Sequence, residues 1–209
     1  MGRNRVCGVG VNDAEYTITS SVHGKQVMCP YYRRWKNLIH RCYNPYELHK
    51  HQTYIDAYVC EEWLFFSAFK SWMEVQDWEG KQLDKDLVGR SKTYSPDTCI
   101  FVSQRMNKLL TGSDATRGDN PKGVSFCNTT GKFIAACHTG GKQERLGYFT
   151  CKLDAEEAYL NKKIEVVGKL TLEHEAKANS LLHQALHRVI RRLEEEKSQL
   201  RLKRSDAYL

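Results

Sequence analysis

The sequence predicts an α+β fold made of two small units and a helical tail, and three observations lead there. Residues 82–107 read as strand, loop, strand and helix in succession. Residues 122–167 read as three short strands separated by glycine turns and followed by a helix. From Leu170 to Arg204 the chain holds neither proline nor glycine and is heavily charged. The expected organisation is a domain over 1–110, a linker over 111–121, a second domain over 122–168 and a C-terminal helix over 169–209.

The first elements are justified by period and punctuation. Gly8-Val-Gly-Val-Asn-Asp13 is glycine-rich without a strand-to-helix context, so it is read as a flexible lead-in. Tyr16–Ser21 and Gln26–Cys29 flank a His23-Gly24 turn and predict a hairpin. After Pro30, which suits a helix start, Tyr31, Trp35, Leu38, Ile39 and Cys42 recur at helical spacing, while Arg33, Arg34, Lys36 and Arg41 form a basic side able to meet phosphates or water. Asn44-Pro45 is expected to end that helix. A loop carrying His49 and His51 then runs to Thr53. Trp63, Leu64, Phe65, Phe66, Phe69, Trp72, Met73 and Trp78 are expected to supply the main core of the first domain, and Gly80 closes that run.

The next stretch begins with a strand around Leu83 to Leu87 and a Gly89-Arg-Ser-Lys92 loop. A Tyr94-Ser-Pro-Asp97 turn, an apolar run Cys99-Ile-Phe-Val102 and a helix start bearing Asn107 complete it. Such a unit can bring Asp84 and Asn107 to one point, an oxygen pair suited to a hard divalent cation. In this pattern the segment resembles the HNH (ββα-metal) nuclease core, with Asp84 and Asn107 at the two metal-ligand positions. The resemblance implies an endonuclease or nickase using Mg2+ or Mn2+, with catalytic positions at Asp84, Lys85 and Asn107. Two positions depart from it. Lys85 stands where the family has the histidine that activates water, and a protonated lysine cannot accept a proton. Thr98 stands where the family has the asparagine that braces the loop, and a hydroxyl can still bond loop backbone. His49 or His51 would be the replacement base.

Thr111 to Pro121 is rich in turn formers and reads as the linker. Beyond it come strands at Gly123–Cys127, Lys132–Thr139 and Glu144–Thr150, and a helix from Leu153 to Val167. Gly123-Val-Ser-Phe, Gly131-Lys-Phe-Ile-Ala-Ala, Arg145-Leu-Gly-Tyr-Phe149 and Glu156-Glu-Ala-Tyr159 resemble the AP2 DNA-binding domain. Over Gly8 to Val167 the chain also resembles phage proteins that join an HNH-type core to an AP2 module, a group that includes homing endonucleases. The resemblance implies a sheet in the major groove of double-stranded DNA.

Alternation puts Val124, Phe126, Phe133, Ala135 and Cys137 on the helix side. Ser125, Cys127, Ile134, Ala136, His138, Gln143 and Arg145 are left outward. Arg145 and Gln143 can reach base edges, and Arg117, Lys122 and Lys142 can pair with phosphates. Ile134 and Ala136 cannot hydrogen-bond, so readout there leans on thymine methyls and DNA shape.

In the tail, Leu182, Leu186, Val189, Leu193 and Leu200 form an a/d seam that suits either a homodimeric coiled coil or a helix folded back on the body. A net charge of +7 suits a polyanionic partner. The eight cysteines contain no C-x-x-C pair and read as free buried thiols in a reducing compartment, with no structural zinc expected. No apolar run reaches membrane-spanning length, so a soluble cytoplasmic protein is expected, in the host cytoplasm if phage-derived. The leading expectation is a DNA-binding, metal-dependent hydrolase. A catalytically inactive regulator, or an inhibitor of a host protein, is the alternative that Lys85 favours.

Overall fold

The computed structural model describes residues 5–51, 54–87, 91–110, 120–173 and 181–206. It is a mixed helix-and-sheet protein, as the sequence predicts. The chain divides into two compact units, residues 1–101 and 102–209. The expected linker lies almost wholly outside the described residues.

In the first unit, β1 (Thr19–Val22) and β2 (Lys25–Met28) form an antiparallel hairpin with Thr19 opposite Met28. Its turn needs left-handed backbone at both central residues, and His23 (φ 50°) and Gly24 (φ 76°) supply it. Helix α1 (Pro30–Tyr43) follows, burying Tyr32, Trp35, Leu38, Ile39 and Cys42. Trp35 sits at the centre of the core and donates its indole N–H to the Trp63 carbonyl (2.7 Å). Around it pack Phe66, Phe69 and Met73 of α3 (Phe66–Glu74), with Trp63 from the short 3₁₀ turn Glu62–Leu64.

Two expectations for this unit are corrected. The glycine-rich lead-in is packed rather than loose: Val11 donates to the Leu64 carbonyl (2.7 Å) and accepts from Phe66 (3.0 Å). Gly10 lies so close to Trp35 that a Cβ there would stand 3.0 Å from the indole ring. The loop after Asn44 is in fact a helix, α2 (Pro45–Lys50). Asn44 caps it by accepting from the Tyr46 and Glu47 amides (2.9 and 3.3 Å), and Pro45 occupies the first helical position, where its missing N–H costs nothing.

Parallel strands β3 (Tyr58–Val59) and β5 (Thr93–Tyr94) pair with Val59 opposite Tyr94, and β4 (Lys81–Asp84) pairs with β6 (Ile100–Ser103). The division between units falls inside β6. Asp84 therefore belongs to the first unit, and Asn107, on α4 (Gln104–Leu110), to the second.

The second unit holds an antiparallel sheet, β7 (Val124–Cys127), β8 (Lys132–His138) and β9 (Gln143–Phe149), in that spatial order. Helix α5 (Lys152–Glu173) packs on it, with Val124, Ala135 and Ala155 forming a small core joined by Phe133, Leu146 and Phe149. The helix was expected to stop at Val167. It runs through Gly168 because burial of Val166, Val167 and Leu170 outweighs the roughly 1 kcal/mol that a helical glycine costs. Lys163 on this helix donates to the carbonyl of Leu109 at the end of α4.

Helix α6 (Leu181–Asp206) lies back along α5 within the same unit. Leu186, Leu193 and Leu200 of the seam are buried. Arg201 pairs with Glu157 (3.2 Å), and Arg204 pairs with Glu157 (3.1 Å) and Asp154. The seam is thus folded back on α5 within this chain. Among the described residues no helix is long and apolar enough to cross a membrane.

Candidate nucleic-acid interface

The register of the second-unit sheet decides which side chains share its open face. Ser125 stands opposite Ile134 and Ile134 opposite Tyr148. Ala136 stands opposite Arg145, and His138 opposite Gln143. These residues face away from α5, as alternation predicts for Ser125, Ile134, His138, Gln143 and Arg145. Glu144 lies on the other side, within 3.3 Å of the Lys162 ammonium of α5, so its charge does not oppose an anion on the open face.

Tyr148 is the residue that simple alternation misses. Ala135 pairs with Gly147 while Ala136 pairs with Arg145, so Leu146 is an extra residue in β9. Such a bulge shifts the phase of the strand, and Tyr148 emerges on the same face as Arg145 instead of the opposite one. Gly147 adopts φ 153° there, a backbone region that side chains other than glycine rarely enter.

The consequence is a direct contact between the two exposed side chains. Arg145 donates Nη1 to the Tyr148 hydroxyl (2.8 Å), and its guanidinium carbon lies 5.5 Å from the ring centroid. Stacking removes rotamer freedom from a long side chain before any ligand arrives.

The other expected contact residues are placed as follows. Lys142 is exposed in the β8–β9 turn. Lys122, just before β7, instead lines a cleft with Glu156 and Tyr159 of α5 and Glu196 and Lys203 of α6, on the helix side of the sheet and away from the expected phosphate contacts. His138 accepts from the Gly140 amide through Nδ1 (3.2 Å), which leaves its Nε2 as the outward-reaching nitrogen. Arg117 lies outside the described residues. Phe126, expected under the helix, is 46% exposed because it sits on edge strand β7, where its ring packs on Phe133 at 5.0 Å.

In the first unit, the expected strand from Leu83 to Leu87 ends at Asp84. The cause is the Asp84 side chain, whose Oδ1 accepts from the Asp86 and Leu87 amides (2.9 Å each) and folds the chain into a turn. Asp84 is only 8% exposed, and burial pushes its carboxyl above the usual carboxylate range even though those two amides pull it down. Both bonds fall on one oxygen.

Lys85, equally buried, donates to Asp86 Oδ1 (2.5 Å) and to the Ser91 carbonyl (3.0 Å), and its ammonium lies 5.6 Å from the Tyr94 ring centroid. It thus ties together the two ends of the loop. Thr98 braces the same region: its hydroxyl donates to the Thr93 carbonyl (2.7 Å) and accepts from the Ser95 amide (3.0 Å). The hydroxyl meets backbone, as expected of it.

The Asp84 carboxylate is a donor that fits a hard divalent cation, and a cation would relieve the burial penalty on its charge. Asn107, expected to share that ion, belongs to the other unit. Among the described residues no group of three or more His, Cys, Asp or Glu side chains is gathered to hold a metal ion. A magnesium site asks for less, one or two carboxylates with water completing the shell.

All eight cysteines are free thiols, of which Cys42, Cys99 and Cys137 are buried and Cys151 is exposed. Burial pushes Cys42 up to about 11 and Cys99 up to about 12.

Comparison of the chain with family models, curated proteins and solved structures finds no match.

Proposed function

We propose that the chain binds double-stranded DNA through the open face of β7–β9. The single observation that carries this reading is the Arg145–Tyr148 pair, a guanidinium held in place on a solvent-exposed, acid-free strand face beside Ser125, Ile134, His138 and Gln143. A pre-oriented guanidinium can bond both acceptors on a guanine edge, Ile134 suits a thymine methyl, and Lys142 meets a phosphate at the end of the sheet. Fluorescence anisotropy with a labelled duplex tests it: affinity should fall steeply as salt rises, and a salt-insensitive complex would count against phosphate neutralisation.

The HNH-like pattern supports a further step, metal-dependent nicking of the bound DNA. Asp84 and Asn107 are the residues that would hold magnesium or manganese, which when bound polarises a phosphate oxygen and stabilises charge on the leaving group. Within the chain, Thr98 and Lys85 keep the loop around Asp84 in shape. Nicking of supercoiled plasmid with and without magnesium is the assay that decides it.

A second reading, a DNA-binding regulator that does not cut, is favoured by Lys85. Its ammonium is engaged as a donor to Asp86 and Ser91, so it has no lone pair with which to activate water. A homodimer and a host protein partner have no such observation behind them.

A further inference from the structure

A cleft of about 600 Å³ opens in the first unit, lined by Lys36, Asn37, His40, Arg41, Glu47, His51 and Tyr54. Its residues come from two short stretches. Helix α1 contributes Lys36, Asn37, His40 and Arg41, one face over a turn and a half, while α2 and its end contribute Glu47, His51 and Tyr54.

Arg41 is the centre of the cleft. Its guanidinium carbon lies 5.4 Å from the Tyr54 ring centroid and 5.9 Å from that of Tyr94, and Nη1 donates to the Tyr94 hydroxyl (3.3 Å). The ion pairs of the first unit join Lys70 to Glu74, Lys81 to Asp77, Lys85 to Asp86 and Lys92 to Asp56. Among the described residues none of these involves Arg41 or Lys36. A guanidinium carries five N–H donors, so one bond to a tyrosine hydroxyl leaves most of its donor capacity for a ligand. Two tyrosine rings fix its plane before binding, which reduces the ordering cost of a bidentate contact.

The surroundings define the ligand. Two cationic side chains and two imidazoles face a single carboxylate, Glu47, so the cleft is suited to an anion. His51 and Tyr54 lie edge to face at 6.2 Å and give one wall an aromatic surface. A planar guanidinium with a lysine nearby matches phosphate oxygens, and an aromatic wall accepts a base or sugar without regard to sequence. The remaining link is Tyr94, whose ring also lies beside the Lys85 ammonium, so the cleft adjoins the Asp84 turn.

We propose that this cleft is a phosphate-binding site in which Arg41, assisted by Lys36, His40 and His51, holds a backbone phosphate of a nucleic-acid strand. The phosphate chemistry stands independently of the sheet; the nucleic-acid source rests on the DNA-binding reading above.

The test follows the imidazole proton resonances of the full chain by NMR, with His40 and His51 assigned from His40→Gln and His51→Gln. Three probes are titrated at constant ionic strength: inorganic phosphate, a mononucleotide, and a short duplex with 5′-hydroxyl ends. Saturable shifts of both histidines with phosphate and with duplex are expected, and Lys36→Gln should weaken the phosphate response roughly tenfold or more. Arg41→Gln should abolish it. Because Arg41 is packed between tyrosines, circular dichroism melting accompanies that variant, and Lys36→Gln carries the test if Arg41→Gln unfolds.

No shift with any probe overturns the site, as does an equal response to chloride. Response to phosphate and mononucleotide but not to duplex overturns the nucleic-acid source and assigns the cleft to a free nucleotide. Arg145→Ala keeps the two readings apart, since the response of His40 and His51 to inorganic phosphate should survive it whatever happens to duplex affinity.

Discussion

Gly123 lies against the ring of Tyr159, and a Cβ placed on it would run into that ring and stand 2.7 Å from the Ala136 carbonyl oxygen. Its φ of 71° is a second obstacle to any other residue. The glycine therefore sets how closely β7 can approach both β8 and α5, and its own carbonyl accepts from the Ala136 amide (2.8 Å). Gly123→Ala should destabilise the second unit by about 3 kcal/mol or more, combining overpacking with left-handed strain. Thermal melting of the variant checks this, and an unchanged midpoint would contradict the close approach.

Arg145→Ala should cost about 1–3 kcal/mol of duplex affinity if the guanidinium makes a bidentate base contact. Tyr148→Phe removes the hydroxyl that accepts from Arg145 but keeps the ring, so a smaller loss is expected. Anisotropy titrations of both variants against the same duplex give the order, and a larger loss for Tyr148→Phe would show that the hydroxyl itself touches DNA.

Removing α6 should weaken the second unit. Leu186, Leu193 and Leu200 are buried and Arg204 is paired with Glu157 and Asp154, so truncation after Glu173 would bare the apolar side of α5. Leu193→Ala alone should cost about 2–5 kcal/mol. Melting measures the loss, and sedimentation of the full chain checks that the seam is satisfied within one molecule.

The buried Asp84 carboxyl gives a pH-dependent prediction. Its raised pKa means that the folded state holds this proton more tightly than the unfolded chain does. Stability from this group is therefore greatest at low pH and declines as pH rises from the ordinary carboxylate value through the raised one. Asp84→Asn keeps an oxygen for the Asp86 and Leu87 amides while removing the charge, so it should raise the melting temperature at neutral pH. The same substitution should abolish any magnesium-dependent nicking, and Lys85→His should raise it, by roughly 10²–10⁴-fold in favourable cases of general-base catalysis.

Alkylation of the native protein should reach exposed Cys151 well before Cys42 or Cys99, whose thiols burial holds far from ionisation. Peptide mass spectrometry over a time course reads the order.

Where local chemistry decides structure, the sequence was a good guide. The His23-Gly24 hairpin, the Pro30 helix start and the three strands of the second unit are all local signals, and the bounds found differ from those expected by a residue or a few. Misreadings arose where one side chain acts at a distance along the chain or on a neighbour. Asn44 ends one helix and caps the next, so a signal for a stop was also a signal for a start. The Asp84 carboxylate turns the strand it was expected to occupy. The Arg41 cleft had only a basic helix side to announce it, because Tyr54 and Tyr94 reach Arg41 from other elements. The bulge at Leu146 left no trace in the alternation except Gly147, and Tyr148 was missed with it.

That bulge also bears on how such a surface can change over generations. Loss of the single codon for Leu146 would remove the extra residue and leave the pairs on either side in register, with Arg145 and Tyr148 still on one face, two residues apart instead of three. An in-frame deletion, without any substitution, would thus keep the arginine and its supporting ring on the open face and Phe149 on the helix side. Strand length at this point can change by one residue without moving either side chain to the opposite face, so the open face changes there through side-chain identity.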